Sequence, residues 1–224
     1  MQLTSAFLIF LSVFLNNGDV TNGQIASTSL QVLEDFSRAE QDGFPVGWQA
    51  SRTESVTRKA YVVARDGEQS VLRTKGVDAQ MRIFKRVAWN PKEYPIVTWR
   101  WRLVKATLLG KRPVPIEPMM IAAVFVSLDT DLLVIPVSTK YVWSESGDSV
   151  GTLKEGGLFG AAQIIVRSGW RLPEIGQWFE ERVNAYEDFE RIHKHEPAPQ
   201  AWGISLVTGP GIELDFGSIA IAKQ

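Results

Sequence analysis

Two arginines in the segment Pro95–Leu103 are the residues best placed for chemistry. The segment alternates with a period of two, the period of a β-strand, so Arg100 and Arg102 share one face while Trp99 and Trp101 share the other. Guanidinium groups bind carboxylates through paired hydrogen bonds, and this face therefore predicts a groove for a ligand such as an acidic glycan. The alternative is that both arginines pair with acids on neighbouring strands and serve as framework.

The chain also contains eight tryptophans, which is many for 224 residues. A flat aromatic ring can stack on a ligand where it is exposed, or fill the core where it is buried. We predict Trp143 and Trp170 to be ligand-binding platforms beside the two arginines, and we expect Trp48 and Trp178 in the core.

The segment Gly147–Gly151 fits the G-x-S-x-G pattern of a nucleophile elbow, and Asp188, His193 and His195 follow in the order that α/β-hydrolases use. That elbow needs a helix directly after it, whereas residues 152–160 are rich in glycine and show no helical period. The sequence also lacks the alternation of strands and helices that such a fold requires. We interpret the segment as a surface loop and predict no catalytic residue.

No metal site is predicted from the histidines, because His193 and His195 are two positions apart on a predicted helix and point in different directions. No cofactor is predicted, although the spacing of Asp129 and Asp131 in a turn would suit calcium.

A cluster of acidic residues could supply the paired carboxylates that hydrolyse glycosidic bonds. Its members are Glu180, Glu181, Glu187 and Asp188. Helix capping by Glu187 and an exposed helical face for the others are the alternative explanation.

The charge balance argues against nucleic acid as a partner. The formal net charge is −1, from 24 basic and 25 acidic residues with no long run of either sign, whereas nucleic-acid binding needs a clustered positive surface. Cysteine is absent, which excludes disulfides, thiolate zinc sites and a cysteine nucleophile.

The first residues read as a targeting segment. Ala6–Leu15 is an apolar run about as long as the core of a signal peptide and too short to span a bilayer, and cleavage is predicted near Gly23. The chain then divides into a signal peptide over 1–23, a short leader over 24–32 and a single domain over 33–224. We expect an exported protein, periplasmic or secreted, without an integral membrane span after cleavage.

Many short predicted strands separated by turns indicate an all-β domain. They are residues 60–64, 70–74, 79–87, 95–103, 119–128, 132–137, 140–144, 161–167, 200–208 and 213–222. Asn184 and Glu187 have the spacing of a capping box, which predicts one helix over about 185–194. Phe44 and Trp48 lie in a Gly/Pro loop and are predicted to close one end of the core. This pattern is typical of a jelly-roll β-sandwich.

Several blocks of the sequence match a known family in the same order. They are Phe44-Pro-x-Gly-Trp48, Tyr94-Pro95, Trp99-Arg-Trp-Arg102, Tyr141-Val-Trp-Ser144, Val166-Arg-Ser-Gly169, Asn184-x-x-Glu-Asp-Phe189 and Gly217-Ser-Ile-Ala-Ile221. On these blocks the chain resembles the DUF3047 family of bacterial proteins over residues 33–222. The resemblance implies an exported galactose-binding-like jelly roll with no settled activity. Family members usually carry acidic residues before the strand that starts here at Met119, and an Asp/Asn-rich turn where this chain has Val207–Gly211; both are missing here.

The function predicted from these observations is non-catalytic binding of a carbohydrate or cell-envelope glycan at the face of Arg100 and Arg102. Two alternatives stay open. One is an enzyme, a lyase or hydrolase, that acts on polysaccharide. The other is a scaffold that docks an envelope protein through the loop 104–118 or through an apolar patch at Met119 and Met120.

Overall fold

The alternating segments of the sequence form the strands of two facing sheets. The structure, a computed structural model, describes residues 30–51, 53–77, 79–106, 120–145, 148–156, 161–169 and 174–224. The predicted signal peptide lies outside these residues. The first strand begins at Gln31, two residues before the predicted start of the domain.

The first sheet has six strands. Its members are β1 (Gln31–Glu34), β3 (Tyr61–Asp66), β4 (Gln69–Thr74), β6 (Ile96–Ala106), β11 (Phe179–Asn184) and β13 (Ile212–Ala222). Their spatial order is β11-β6-β13-β4-β3, and β1 pairs with the second half of β13. All of these pairings are antiparallel.

The second sheet has seven strands. Its members are β2 (Gln49–Ala50), β5 (Met81–Arg86), β7 (Met120–Thr130), β8 (Pro136–Ser144), β9 (Leu153–Lys154), β10 (Ala162–Ser168) and β12 (Gly203–Thr208). Their order is β2-β5-β12-β7-β8-β10-β9, and only the β8–β10 pairing is parallel. Because the chain passes repeatedly between the sheets, the predicted all-β jelly-roll sandwich is confirmed.

Aromatic side chains from both sheets fill the space between them. Trp99 and Trp101 of β6 are fully buried and meet edge to face at 5.5 Å between ring centroids. Trp99 contacts Tyr141 of β8 at 5.7 Å, and Trp101 contacts Trp143 of the same strand at 5.6 Å. The prediction that the tryptophan face of β6 is the core face is therefore confirmed.

One end of the core is closed as predicted by the loop that contains Phe44 and Trp48, which are 0% and 3% exposed. The ring of Trp48 stacks on Phe36 at 5.9 Å, and its indole N–H donates to Glu34 at 2.8 Å. Glu34 is nearly buried and also accepts from Lys85 at 2.7 Å.

The predicted helix is α2 (Ala185–His193), and its cap is confirmed because the Asn184 side chain accepts from the backbone N–H of Glu187 at 3.1 Å. A second helix, α1 (Glu54–Ala60), was not predicted, since seven residues are too short for a helical period to show. Neither of these described helices has the length or hydropathy of a membrane span.

The sequence prediction is wrong between β7 and β8. A strand was predicted over 132–137, but Leu132 to Ile135 form a turn, and β8 begins at Pro136. These four apolar side chains are all exposed, from 54% at Ile135 to 103% at Leu132. The Asp131 carboxylate fixes the turn by accepting from the backbone N–H groups of Leu133 and Ile135.

Val134 in this turn has a positive φ of 61°, a conformation that a β-branched residue rarely adopts. We expect Val134→Gly to raise the free energy of unfolding by about 0.5–1 kcal/mol, because relief of the left-handed conformation outweighs the entropy cost of glycine. Chemical denaturation measures the change. Leu133→Gly is the control, since its φ is not positive, and it should lower stability; a decrease in both variants would contradict the assignment of strain to Val134.

Candidate functional site

The outer face of the six-stranded sheet carries the arginines singled out in the sequence. Asp215 of β13 lies opposite both Arg73 of β4 and Arg102 of β6. Its carboxylate is fully buried and accepts from Arg73 at 2.7 and 2.9 Å and from Arg102 at 2.8 and 2.9 Å. Arg102 also pairs with Asp66 at 2.9 Å, and this hydrogen bond lowers the pKa of Asp66 below its ordinary value. Arg102 is thus part of a compensated ion network.

Trp178 covers this network from outside. Its ring centroid lies 4.7 Å from the guanidinium carbon of Arg100 and 4.7 Å from that of Arg102, and its indole N–H donates to Asp66 at 3.2 Å. Trp178 was predicted in the core, but it is half-buried on the outer face instead. Arg100 donates to Gln69 at 2.6 Å and borders a hollow of about 330 Å³, so a ligand-binding role for Arg100 stays a prediction.

One of the two predicted aromatic platforms, Trp143, is not on this face. Trp143 is fully buried in the core, and its indole N–H donates to the carbonyl of Gly169 at 2.8 Å, so its ring offers no face to a ligand. The prediction for Trp143 is therefore wrong, because the same period of two that buries Trp99 also turns Trp143 inward. Trp170 lies outside the described residues.

The acidic cluster is divided between strand β11 and helix α2. Glu180 and Glu181 lie on strand β11 and not on a helical face: Glu180 is exposed, whereas Glu181 is buried and accepts from Arg167 and Trp101 at 2.8 and 3.0 Å. Burial raises the pKa of Glu181, and the charge of Arg167 opposes this effect. Asp188 on α2 accepts from the hydroxyl of the buried Tyr141 at 3.1 Å, which ties the helix to the core.

The described residues contain no cluster of three or more potential metal ligands. Asp129 lies at the end of β7 and accepts from the N–H of Thr130, while Asp131 holds the neighbouring turn. His193 and His195 lie 6.2 Å apart between ring centroids, and both pack against Phe189.

The outer face of the seven-stranded sheet has a different character, and sequence reasoning did not single it out. One row of outward side chains crosses six strands in register: Gln49, Phe84, Ser205, Phe125, Lys140 and Gln163. The next row holds Arg82 beside Val207, Ala123, Val142 and Ile165, which form a small apolar cluster with Phe125. We call the surface formed by Arg82, Phe84, Phe125, Lys140 and Gln163 the Phe125 face.

Two hollows adjoin on the Phe125 face. Their volumes are about 390 and 670 Å³, and Arg82, Phe125 and Lys140 line both of them. These volumes lie in the range of small-ligand sites. The guanidinium of Arg82 lies 4.1 Å from the ring centroid of Phe125, and the Lys140 ammonium lies 5.7 Å from the same centroid.

The face continues towards a second aromatic pair. Phe84 packs against Trp202 at 5.6 Å, and Arg86 lies 5.2 Å from the Trp202 ring, beside a third hollow of about 370 Å³. Phe84 and Phe125 are two strands apart in one row, which places them about 10 Å from each other. All three aromatic side chains are half-buried, so each presents part of its ring at the surface.

One signal in the sequence points to this face. Ile83 of β5 is fully buried, so its side chain points into the core. The residues that alternate with it, Arg82, Phe84 and Arg86, must then point outward. Lys140 alternates in the same way with the buried Tyr141.

No protein-family model matches the sequence, and no curated protein matches it either. The resemblance to the DUF3047 family therefore stays a prediction.

The fold is similar to several solved structures at low identity. One is the mannan-recognising carbohydrate-binding module TmCBM27, at 12% identity and a TM-score of 0.42, over 89% of this chain and 99% of the other. A second is the module TmCBM61, solved with β-1,4-galactotriose, at 11% identity and a TM-score of 0.38, over 85% of this chain and 99% of the other. A third is endoglucanase cel12A from Rhodothermus marinus, at 10% identity and a TM-score of 0.38, over 79% of this chain and 98% of the other. Similarity at this level does not transfer a ligand or an activity.

We expect Arg102→Met to lower the free energy of unfolding by about 2–3 kcal/mol, because it removes one of the two arginines that neutralise the buried Asp215. Denaturant unfolding gives the value. Arg182→Met on β11 is the control, since Arg182 is exposed and should change stability by less than about 0.5 kcal/mol. Equal stability of the two variants would show that Arg102 is not framework.

Proposed function

We propose that this protein binds a carbohydrate on the Phe125 face without cleaving it. The observation that carries the proposal is the half-buried Phe125 ring, which has two cationic side chains within 6 Å of its centroid and borders both hollows. An aromatic ring can take the apolar face of a sugar while the polar groups around it bind hydroxyl groups. Gln163 supplies such a group in the same row and lines the larger hollow.

The length of the face supports an oligosaccharide over a single sugar. Phe84 and Trp202 form a second aromatic position about 10 Å from Phe125 along the row. A short oligosaccharide can span that distance and contact both positions.

The small number of carboxylates among the described residues of the two hollows favours binding of a glycan over its hydrolysis. Glycosidases use two carboxyl groups that flank the bond to be broken. Among the described residues that line the two hollows, Asp131 is the single carboxylate, and it accepts two backbone N–H groups of its own turn. Export to the periplasm or the medium is part of the same proposal, since cell-envelope and extracellular glycans lie there.

Docking of a protein partner is a second candidate, favoured by one observation. The turn Leu132–Ile135 exposes four consecutive apolar side chains at the rim of the larger hollow. Met120, predicted to mark such a surface, is half-buried and packs on the outer apolar cluster instead, and Met119 lies outside the described residues.

We expect Phe125→Ala to weaken glycan binding at least about tenfold, because it removes the aromatic surface on which a sugar ring would stack. Isothermal titration calorimetry against a panel of neutral and acidic polysaccharides measures the change, and an unchanged near-UV circular dichroism spectrum confirms folding.

Trp178→Ala, on the opposite sheet, is the matched control and should leave affinity unchanged. If Trp178→Ala loses binding and Phe125→Ala does not, the ligand lies on the face of Arg100 and Arg102. Release of reducing ends or unsaturated products from any polysaccharide would show catalysis and contradict the proposal.

A further inference from the structure

Arg82 and Lys140 are cations without a carboxylate partner among the described residues. Arg82 donates to the Ser205 hydroxyl at 3.0 Å, and its Nε is buried with no hydrogen-bond partner. Within the described part of the chain, Lys140 donates only to the side-chain oxygen of Gln163, at 3.3 Å. By contrast, Lys85 on the same strand as Arg82 pairs with Glu34 at 2.7 Å.

This arrangement is unfavourable in the free protein. Burial lowers the pKa of Arg82, and burial together with the nearby charge of Arg82 lowers the pKa of Lys140. Removing a charge from water without a counter-charge costs free energy, and two like charges around one ring add repulsion. A cost of this kind in a concave site is typical of functional positions.

The groups around the cations leave the site positive. Besides Arg82 and Lys140 themselves, the described side chains that line the two hollows include one acidic residue, Asp131, and one histidine, His193. Asp131 accepts from backbone N–H groups of its own turn and forms no ion pair with Arg82 or Lys140 among the described contacts. Burial lowers the pKa of His193, which favours its neutral form.

We propose that Arg82 and Lys140 form a subsite for the anionic substituent of an acidic sugar, either a carboxylate or a sulfate ester. The assignment rests on the proposed carbohydrate function and names the class of ligand. The anion would supply the missing counter-charge, and its two or three oxygens can accept from both cations at once. Phe125, which both cations approach, would carry the ring of the same sugar.

The first experiment needs no ligand. A cation that is paired within the fold stabilises it, whereas a buried cation without a counter-charge destabilises it. We therefore expect Lys140→Met to raise the melting temperature by about 2–4 °C. The control Lys85→Met removes a paired cation and should lower it, because Glu34 would lose its partner. A fall in melting temperature for Lys140→Met would overturn the proposal.

The second experiment compares polysaccharides that differ only in charge. Polygalacturonate, alginate and hyaluronan are each tested with their carboxyl-reduced neutral forms, and dextran sulfate is tested with dextran. The native protein should bind at least one acidic form at least about tenfold more tightly than its neutral partner, and Lys140→Met and Arg82→Gln should remove this preference.

The outcomes separate the two proposals. Binding of neutral glycans alone would overturn the anionic subsite and leave carbohydrate binding standing. Failure of every glycan would overturn both. Equal binding of poly-glutamate, a polyanion without sugar, would show that charge suffices and would contradict the carbohydrate function. A preference for acidic glycans that both variants retain would place the anion elsewhere and overturn the assignment of Arg82 and Lys140.

Discussion

The contact between the indoles of β6 and the aromatic rings of β8 is the constraint on which both outer faces depend. Trp99 and Trp101 meet Tyr141 and Trp143 between the sheets, and all four side chains are fully buried. Because side chains alternate along a strand, fixing these residues inward forces their neighbours outward. The arginines of β6 and the lysine of β8 therefore reach opposite surfaces of the sandwich as a consequence of one core contact.

The two surfaces hold similar charges in different surroundings. On the six-stranded sheet, register places Asp215 between Arg73 and Arg102, and Asp66 adds a second carboxylate. These cations are neutralised within the fold, so they stabilise it and are poorly available to a ligand. On the seven-stranded sheet, register places Phe125 beside Lys140 and brings Arg82 to the same ring, without a carboxylate among the described neighbours. Two cations without a described carboxylate partner thus share one ring where the surface is also concave.

From the sequence, the arginine face of β6 was the predicted site, whereas the structure presents a second candidate on the other sheet. The pattern of β6 is regular, and its arginines are conspicuous, but a single strand does not reveal which residue lies opposite. Asp215 is 113 positions from Arg102 in the chain, so their pairing depends on the order of strands in the sheet. Glu181 likewise looked helical because its segment is rich in charge, yet the partner β6 makes it a strand. The Phe125 face is assembled from four strands, each contributing one or two residues.

What the sequence determined by itself is the local part of the structure: the alternation along strands such as β6, the cap of α2, and the inward direction of the indoles of β6. These follow from backbone geometry and from the burial of large apolar side chains, which act over a few residues. The tertiary structure alone decided which charges are paired and which are left open. That outcome depends on strand order and register, because an ion pair or a binding hollow forms between residues that are distant in sequence and adjacent only after folding.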